Sequence, residues 1–550
     1  MAARHPAALA VLRAVATECQ TLAAGFSDEE AAEGLAITVG LRALFQRPAS
    51  TSAAVAGLAV QPPELLTVMP PELLSIILSQ LGICDLACLA ATCRLLWCDA
   101  PTPSPLPTPG LLETELRRRA EARGLHIGSS LPEGALSWVP YLLKCDFYDA
   151  LRREAPLAVG YYFSVFVYMG GRLHLACPRD AIRAGEVGEP LLGHDFGPDN
   201  GALTLVPPTL VLSMQDTRIV SFASGDRHSL ALSAEGEVYS WGENYGALGY
   251  ADRGAMAGPR RIETLARMES VATGGDTSAA VDDRGRLFTW GRAAFVEGEL
   301  NGLGYELDPD MKCQRTPKRV DALSEDRVVG VALGCGFTLA VTDAGTVFSF
   351  GQGWHGALGH GLSTSEVLPR RIKALAETGR RFVAVAAGAC QSLALTEEGH
   401  VYGWGRGRAN GHGQEQRMPR RVTALAGVRV LLVYANECSS CAVTERGELY
   451  TWGAADTNSF HLGHMVDVPQ PTPKRVEALS HVKVTAAAIG NGHTLVAGED
   501  GVVWGFGQRN ALVFREADEP PVDSEDEDID DERCVVQPTP ILNLRVRAVP

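Results

Sequence analysis

The feature that most constrains this chain is a glycine-bounded hairpin that recurs along it. "GEVYSWG" from Gly236 is followed by "GRLFTWG" from Gly285, "GTVFSFG" from Gly345, "GHVYGWG" from Gly399, "GELYTWG" from Gly447 and "GVVWGFG" from Gly501. "GRLHLA" from Gly171 is a weaker seventh member. Before each of the six full copies stands a small apolar run: "HSLALS", "TSAAVD", "FTLAVT", "QSLALT", "SSCAVT" or "HTLVAG". A charged turn ending in Gly joins the two runs, and Gly accepts the positive φ that a tight hairpin turn demands. A "GALG"-like segment and a Pro-led strand such as "PRRIETL" complete most units. Three or four short strands per unit, repeated about seven times, predict sheets arranged radially about an axis.

This arrangement gives the large aromatic a task. Neighbouring sheets must bury their faces against one another. One aromatic per unit fills the gap: Trp241, Trp290, Phe350, Trp404, Trp452 and Phe506 are the expected blade-packing side chains. The Gly that follows each lets backbone approach closely or turn sharply.

On these residues the repeat resembles that of the regulator of chromosome condensation family, whose fold is a seven-bladed β-propeller. The resemblance implies a mainly β domain over residues 157–550. It also implies that the tail "PTPILNLRVRAV", from Pro538, closes the ring by pairing with the strands near Tyr161–Ala176. The family's founding member exchanges nucleotide on the Ran GTPase, but fold does not transfer function. A plant ultraviolet-B photoreceptor of the same family relies on a Gly-Trp-Arg-His-Thr motif. The equivalent stretches here read "GDRHS", "GGDTS", "GCGFT", "GACQS" and "GNGHT", without Trp, which disfavours light sensing.

Ahead of the repeats, residues 1–62 read as a helical region and a small-residue linker, with Ser27 and Glu30 placed as a capping box. Residues 63–100 contain "LTVMPPELLSIILSQLGICDLACLAATCRLLW". Leu73, Leu74, Ile77, Leu78 and Leu81 fall on one helix face, and Gly82 ends that helix. The stretch resembles an F-box: Pro70, Glu72, Leu73, Leu74, Ile76, Ile77, Leu81, Asp85, Leu86, Cys93, Arg94 and Trp97 fit, with Met69 in place of the leading Leu. An ordinary amphipathic helical hairpin is the alternative. An F-box does no chemistry. It offers an apolar helix face that a Skp-type adaptor of a cullin–RING ubiquitin ligase covers. The resemblance makes Pro70, Glu72, Leu73, Leu74, Ile77, Leu78, Leu81, Leu86 and Trp97 the adaptor-binding residues. Residues 101–156 read as a Pro-rich spacer and linker helices.

Little points to catalysis. No H-E-x-x-H, G-x-S-x-G or P-loop motif occurs, and "GQGWHG" from Gly351 is repeat geometry rather than a nucleotide fingerprint. No cofactor and no metal are expected. The thirteen Cys are scattered, which suits reduced thiols in cytoplasm or nucleus. "CSSC" at Cys438–Cys441 falls at a strand position of the repeat, and the Cys84–Cys98 cluster lacks zinc-ligand spacing. No apolar run approaches bilayer length, so no membrane partner is expected. A net charge of −16 argues against nucleic acid. Eleven acids and no base lie within 516–532, read as an acidic loop extruded from the last unit. Ser524 before "EDED" resembles an acid-directed kinase site.

Five units carry a basic pair after Pro: Arg260-Arg261, Lys318-Arg319, Arg370-Arg371, Arg420-Arg421 and Lys474-Arg475. Equivalent positions of a propeller lie on one circle. The pairs then either guard a strand start beside local acids, or form a ring that accepts acidic or phosphorylated partners. The reading that joins these parts is a non-enzymatic substrate receptor of a ubiquitin ligase. A small-GTPase-binding or nucleotide-exchange propeller and a propeller scaffold are the alternatives.

Overall fold

The second strand of each unit is apolar at both parities, so both of its faces must be covered. That requirement is met by stacking sheets. In a computed structural model, the structure describes residues 113, 114 and 116–118, and the segments 157–159, 164–167, 171–178, 205–292, 302–453, 460–464, 468–508 and 534–546, a few single positions apart. The chain divides into two units between residues 149 and 150. In the first, residues 113, 114 and 116–118 are helical, Leu116 is buried, and Arg117 Nε donates to Glu113 Oε1 at 2.9 Å. The F-box-like stretch, the preceding region 1–62 and the acidic loop 516–532 lie outside the described residues.

The second unit is almost entirely β. Among its described residues the α-helix is the four-residue Lys373–Ala376. The first blade comprises Ile219–Ser224, His228–Ser233, Val238–Gly242 and Met256–Arg261. The second comprises Met268–Gly274, Thr277–Asp282, Leu287–Arg292 and Cys313–Arg319; the third Val328–Leu333, Phe337–Thr342, Val347–Gly351 and Glu366–Arg371. The fourth comprises Phe382–Ala387, Gln391–Thr396, Val401–Gly405 and Gln416–Arg421; the fifth Val430–Asn436, Ser439–Thr444, Leu449–Gly453 and Gln470–Arg475. The sixth comprises Val484–Ile489, His493–Gly498, Val502–Gln508 and Cys534–Arg545. Each is an antiparallel meander in chain order. The first strands of successive blades pack against one another, and the fourth strands are outermost.

Two expectations are corrected. Seven blades were predicted, the leading one from a weak copy of the repeat, and the repeat builds six. The four strands Leu157–Val159, Ser164–Val167, Leu173–Pro178 and Leu205–Leu210 form a further sheet without the blade aromatic. Its register pairs Val167 with Leu173 and Ser164 with Ala176, whereas the first blade pairs Leu232 with Val238 and Ser229 with Trp241. Ala176 therefore stands where a blade has Trp or Phe. Leu157 and Val159 of this sheet share a core with Leu495 and Ile541 of the sixth blade. Val165, Val167 and Leu173 share one with Phe222 and Trp241 of the first. It fills the space between the two by aliphatic packing.

The C-terminal tail is the second correction. Cys534–Arg545 pairs with Val502–Gln508, with Gly507 opposite Val535 and Gly505 opposite Thr539. It completes the sixth blade and does not pair with the strands at Ser164–Pro178. The physical reason is edge satisfaction: the leading sheet supplies its own fourth strand, while the sixth blade has an open edge until the chain returns. "QPTP" at Gln537 repeats "QPTP" at Gln470 of the fifth blade, which marks the tail as an outer strand.

Candidate protein-interaction surfaces

The aromatic–Gly pair that ends each third strand is an interlock between blades. Trp241, Trp290, Phe350, Trp404, Trp452 and Phe506 are all fully buried. Trp290 packs on Leu230, Leu248 and Ile262 of the first blade, and Trp404 on Leu339, Leu358 and Ile372 of the third. The indole also anchors the preceding loop. Trp290 Nε1 donates to the Ala247 carbonyl at 2.7 Å, Trp404 to Ala357 at 2.6 Å and Trp452 to Ala409 at 2.8 Å. The same oxygens accept the hydroxyls of Ser278, Ser392 and Ser440. In the two Phe blades only the hydroxyl remains: Thr338 to Gly302 and Thr494 to His461.

Two buried histidines extend these clamps, and the sequence reading passed over them. His228 Nε2 lies 2.8 Å from Ser278 Oγ, whose hydroxyl donates onward to Ala247, so Nε2–H is the donor. His493 Nε2 lies 2.9 Å from Ser164 Oγ of the leading sheet. Both head the second strand of their blade, where Gln391 stands in the fourth. Burial pushes His228 down to about 4 and His493 to about 3. A neutral histidine in the fold, titrating near 6.5 once unfolded, contributes stability that is full above that pH. The contribution is lost as pH falls through 6.5 towards the folded value. At about pH 5 each costs about 2 kcal/mol relative to neutral pH. Denaturation midpoints of the wild type and of His228→Gln should therefore converge on acidification; equal acid sensitivity in both contradicts the assignment.

The basic pairs sit at the end of the fourth strand, not at a strand start, and so line the outer rim. Their register is invariant. The second cation lies opposite an aromatic: Tyr239–Arg261, Phe288–Arg319, Phe348–Arg371, Tyr402–Arg421 and Tyr450–Arg475. The first lies opposite Ser240, Thr289, Ser349, Gly403 or Thr451. Consecutive residues of a strand face opposite ways, so the pairs split into two sets of five. Arg260 lies 4.3 Å from the ring centre of Tyr250 and 2.9 Å from Asp252. Lys318 lies 4.3 Å from the ring centre of Tyr305. Arg370 pairs with Glu366. Arg261 bonds Glu237 at 2.9 Å, Arg319 reaches Asp321 at 3.5 Å and Arg475 reaches Glu448 at 3.3 Å. No ion pair of Arg371, Arg420, Arg421 or Lys474 occurs among the described residues.

A second set of cations escaped the sequence reading. Arg218, Arg267, Arg327, Arg381, Arg429 and Lys483 each immediately precede a blade's first strand. Their backbone carbonyls accept from Ala234, Asp283, Asp343, Glu397, Glu445 and Glu499 of the same blade's hairpin. Arg429 also pairs with Glu445 at 3.1 Å and Lys483 with Glu499 at 3.2 Å. Aligning "RI", "RM", "RV", "RF", "RV" and "KV" across the repeats would have revealed them. They stitch each hairpin to its blade.

Among the described residues no group of three or more His, Cys, Asp or Glu side chains could hold a metal ion. Cys441 is buried in its strand opposite Thr451, and burial pushes its thiol well up. The clamps hold neighbouring blades together, and the ends of the fourth strands carry the exposed cations.

Comparison with known proteins identifies the repeat. The chain carries Regulator of chromosome condensation (RCC1) repeats, matched at residues 219–246, 235–281, 284–341, 344–395, 382–414 and 446–497. It is 41% identical over 306 residues to the human E3 ubiquitin-protein ligase HERC2, which covers 54% of this chain and 6% of HERC2. It is 34% identical over 218 residues to the ultraviolet-B receptor UVR8 of Arabidopsis thaliana, covering 39% of this chain and 46% of UVR8. The chain thus spans well under two thirds of these relatives. Among solved structures, Prp20p of Saccharomyces cerevisiae aligns with a TM-score of 0.55 at 22% identity, covering 76% of this chain and 91% of Prp20p. Human WBSCR16 aligns with a TM-score of 0.51 at 23% identity, covering 62% and 85%. These likenesses establish an RCC1-like propeller.

Proposed function

We propose that the chain is a substrate-receptor subunit of an SCF-type cullin–RING ubiquitin ligase, with the propeller holding the substrate. The observation that carries this reading is the F-box resemblance of residues 66–97 ahead of a propeller built from RCC1 repeats. HERC2 supports it more loosely, since that ligase contains a region similar to these repeats. The chain itself performs no bond chemistry on this reading. It brings a substrate to a ligase that the adaptor recruits, in cytoplasm or nucleus. Pulldown of the purified chain with a Skp-type adaptor tests it. The wild type should be retained, and Leu74→Arg with Ile77→Arg should abolish retention. Absence of binding by the wild type refutes the reading.

The second reading is a small-GTPase-binding or exchange propeller. It is favoured by the likeness to Prp20p, whose structure was described with its binding to Gsp1p and histones. Stimulated nucleotide release from a small GTPase, unaffected by the helix substitutions, would select it.

A further inference from the structure

We propose that the outer rim of the third and fourth blades is a docking surface for an extended acidic peptide that carries apolar side chains. This goes beyond the ligase reading and holds equally for a scaffold. The repeat supplies its own controls. In the first, second and fifth blades an acid stands two residues after the second cation: Glu263, Asp321 and Glu477. In the third and fourth blades that position holds Lys373 and Thr423. The hairpin residue that neutralises the same cation is Glu237 in the first blade and Glu448 in the fifth. Its counterparts in the third and fourth are Thr346 and His400. An imidazole is neutral or cationic and supplies no counter-charge; burial, and then the positive Arg421, hold His400 below its usual value. Arg371 and Arg421 thus lose both of the partners that their equivalents use.

The same two blades depart from the repeat in a second way. The residue before the rim proline is Gly258, Thr316 or Thr472 in the first, second and fifth blades. It is Leu368 in the third and Met418 in the fourth, each more than half exposed. Nothing in the blade geometry requires an apolar side chain there. Leu362, 60% exposed, follows Gly361, whose amide donates to the Arg417 carbonyl beside Met418 at 2.9 Å. The loop between the third and fourth strands of the third blade thereby carries an apolar side chain to the rim of the fourth. Arg371 feels the Asp326 carboxylate without forming an ion pair with it, and Arg421 forms none among the described residues. Such guanidinium groups within three residues of exposed apolar side chains suit a ligand that alternates carboxylates with apolar groups. Arg favours carboxylates through its fork of donors. On a chain of net charge −16, exposed cations beside exposed apolar side chains present a local contrast to the surrounding surface.

The test is fluorescence anisotropy of the full chain with a short fluorescein-labelled peptide of mixed Glu, Asp, Leu and Phe. The wild type should bind. Arg371→Glu with Arg421→Glu, and separately Leu368→Ser with Met418→Ser, should each weaken binding at least about tenfold. Lys318→Glu with Arg319→Glu on the second blade should leave binding unchanged. Thermal melts of all variants keep folding separate from binding, since every substituted side chain lies on the rim. Equal loss in the second-blade variant, or binding indifferent to both rim variants, overturns the proposal. So does equal binding of an all-Glu peptide, or preference for duplex DNA over the peptide. Adaptor retention is measured on the same variants and should not change, which keeps this proposal and the ligase reading independently refutable.

Discussion

Trp404→Ala is expected to destabilise the propeller by about 3–5 kcal/mol, and Trp404→Phe by about 1 kcal/mol. The larger loss comes from emptying the space between the third and fourth blades, where the indole meets Leu339, Leu358 and Ile372. The smaller comes from the polar end alone. Phe keeps most of the volume but leaves the Ala357 carbonyl with only the Ser392 hydroxyl. The protein already contains that arrangement at Phe350 and Phe506, so it is tolerated. Urea unfolding followed by intrinsic fluorescence and circular dichroism gives both shifts. An alanine variant within about 1 kcal/mol of wild type would show that the blades do not depend on this plug.

Gly405→Ala is expected to cost as much, though it adds only one methyl. Gly405 has φ +91°, and a Cβ there would collide with the Cys390 carbonyl oxygen and lie 2.9 Å from the Gln391 Cα. That carbonyl accepts the Arg406 amide at 2.9 Å and cannot retreat without breaking the bond. Positive φ alone costs about 1–3 kcal/mol, and the backbone collision adds to it. Gly427 isolates the two contributions: its φ is +82°, yet a Cβ there meets nothing within 4 Å. Gly427→Ala should show the dihedral cost alone, visibly smaller than that of Gly405→Ala in the same unfolding assay. Equal costs at the two positions would remove the collision from the account. The large residue and the permissive one are adjacent because they serve one joint. The aromatic fills the gap between sheets, and the glycine lets the backbone of the same blade's preceding loop, at Cys390, lie directly against it.

The strands, the hairpins and the aromatic plugs were legible because each is encoded within one repeat unit. A turn glycine, an apolar run and a Trp-Gly step act on residues a few positions away, and repetition multiplies the signal. The six complete blades are those whose units keep the whole motif. The leading sheet, with Ala176 at the aromatic position, carries the β pattern without the plug, so sequence counting made it a weak seventh blade. His228 and His493 were invisible for a related reason. Each is an isolated polar residue at a strand start, and only the serine of a neighbouring sheet gives it a role.

What this sequence by itself determined is the radial β architecture and the identity of the residues that join its blades. Period, turn chemistry and side-chain volume are local properties, and they survive without knowledge of neighbours. The tertiary structure decided which open edge the C-terminal strand fills and where the basic pairs lie. It also decided which cations keep a counter-charge. Those outcomes depend on register between strands far apart in the chain. Arg261 meets Glu237 across a sheet, while Arg421 has no such acid within reach among the described residues. The same dipeptide is therefore a neutralised strand end in one blade and a free charge in another.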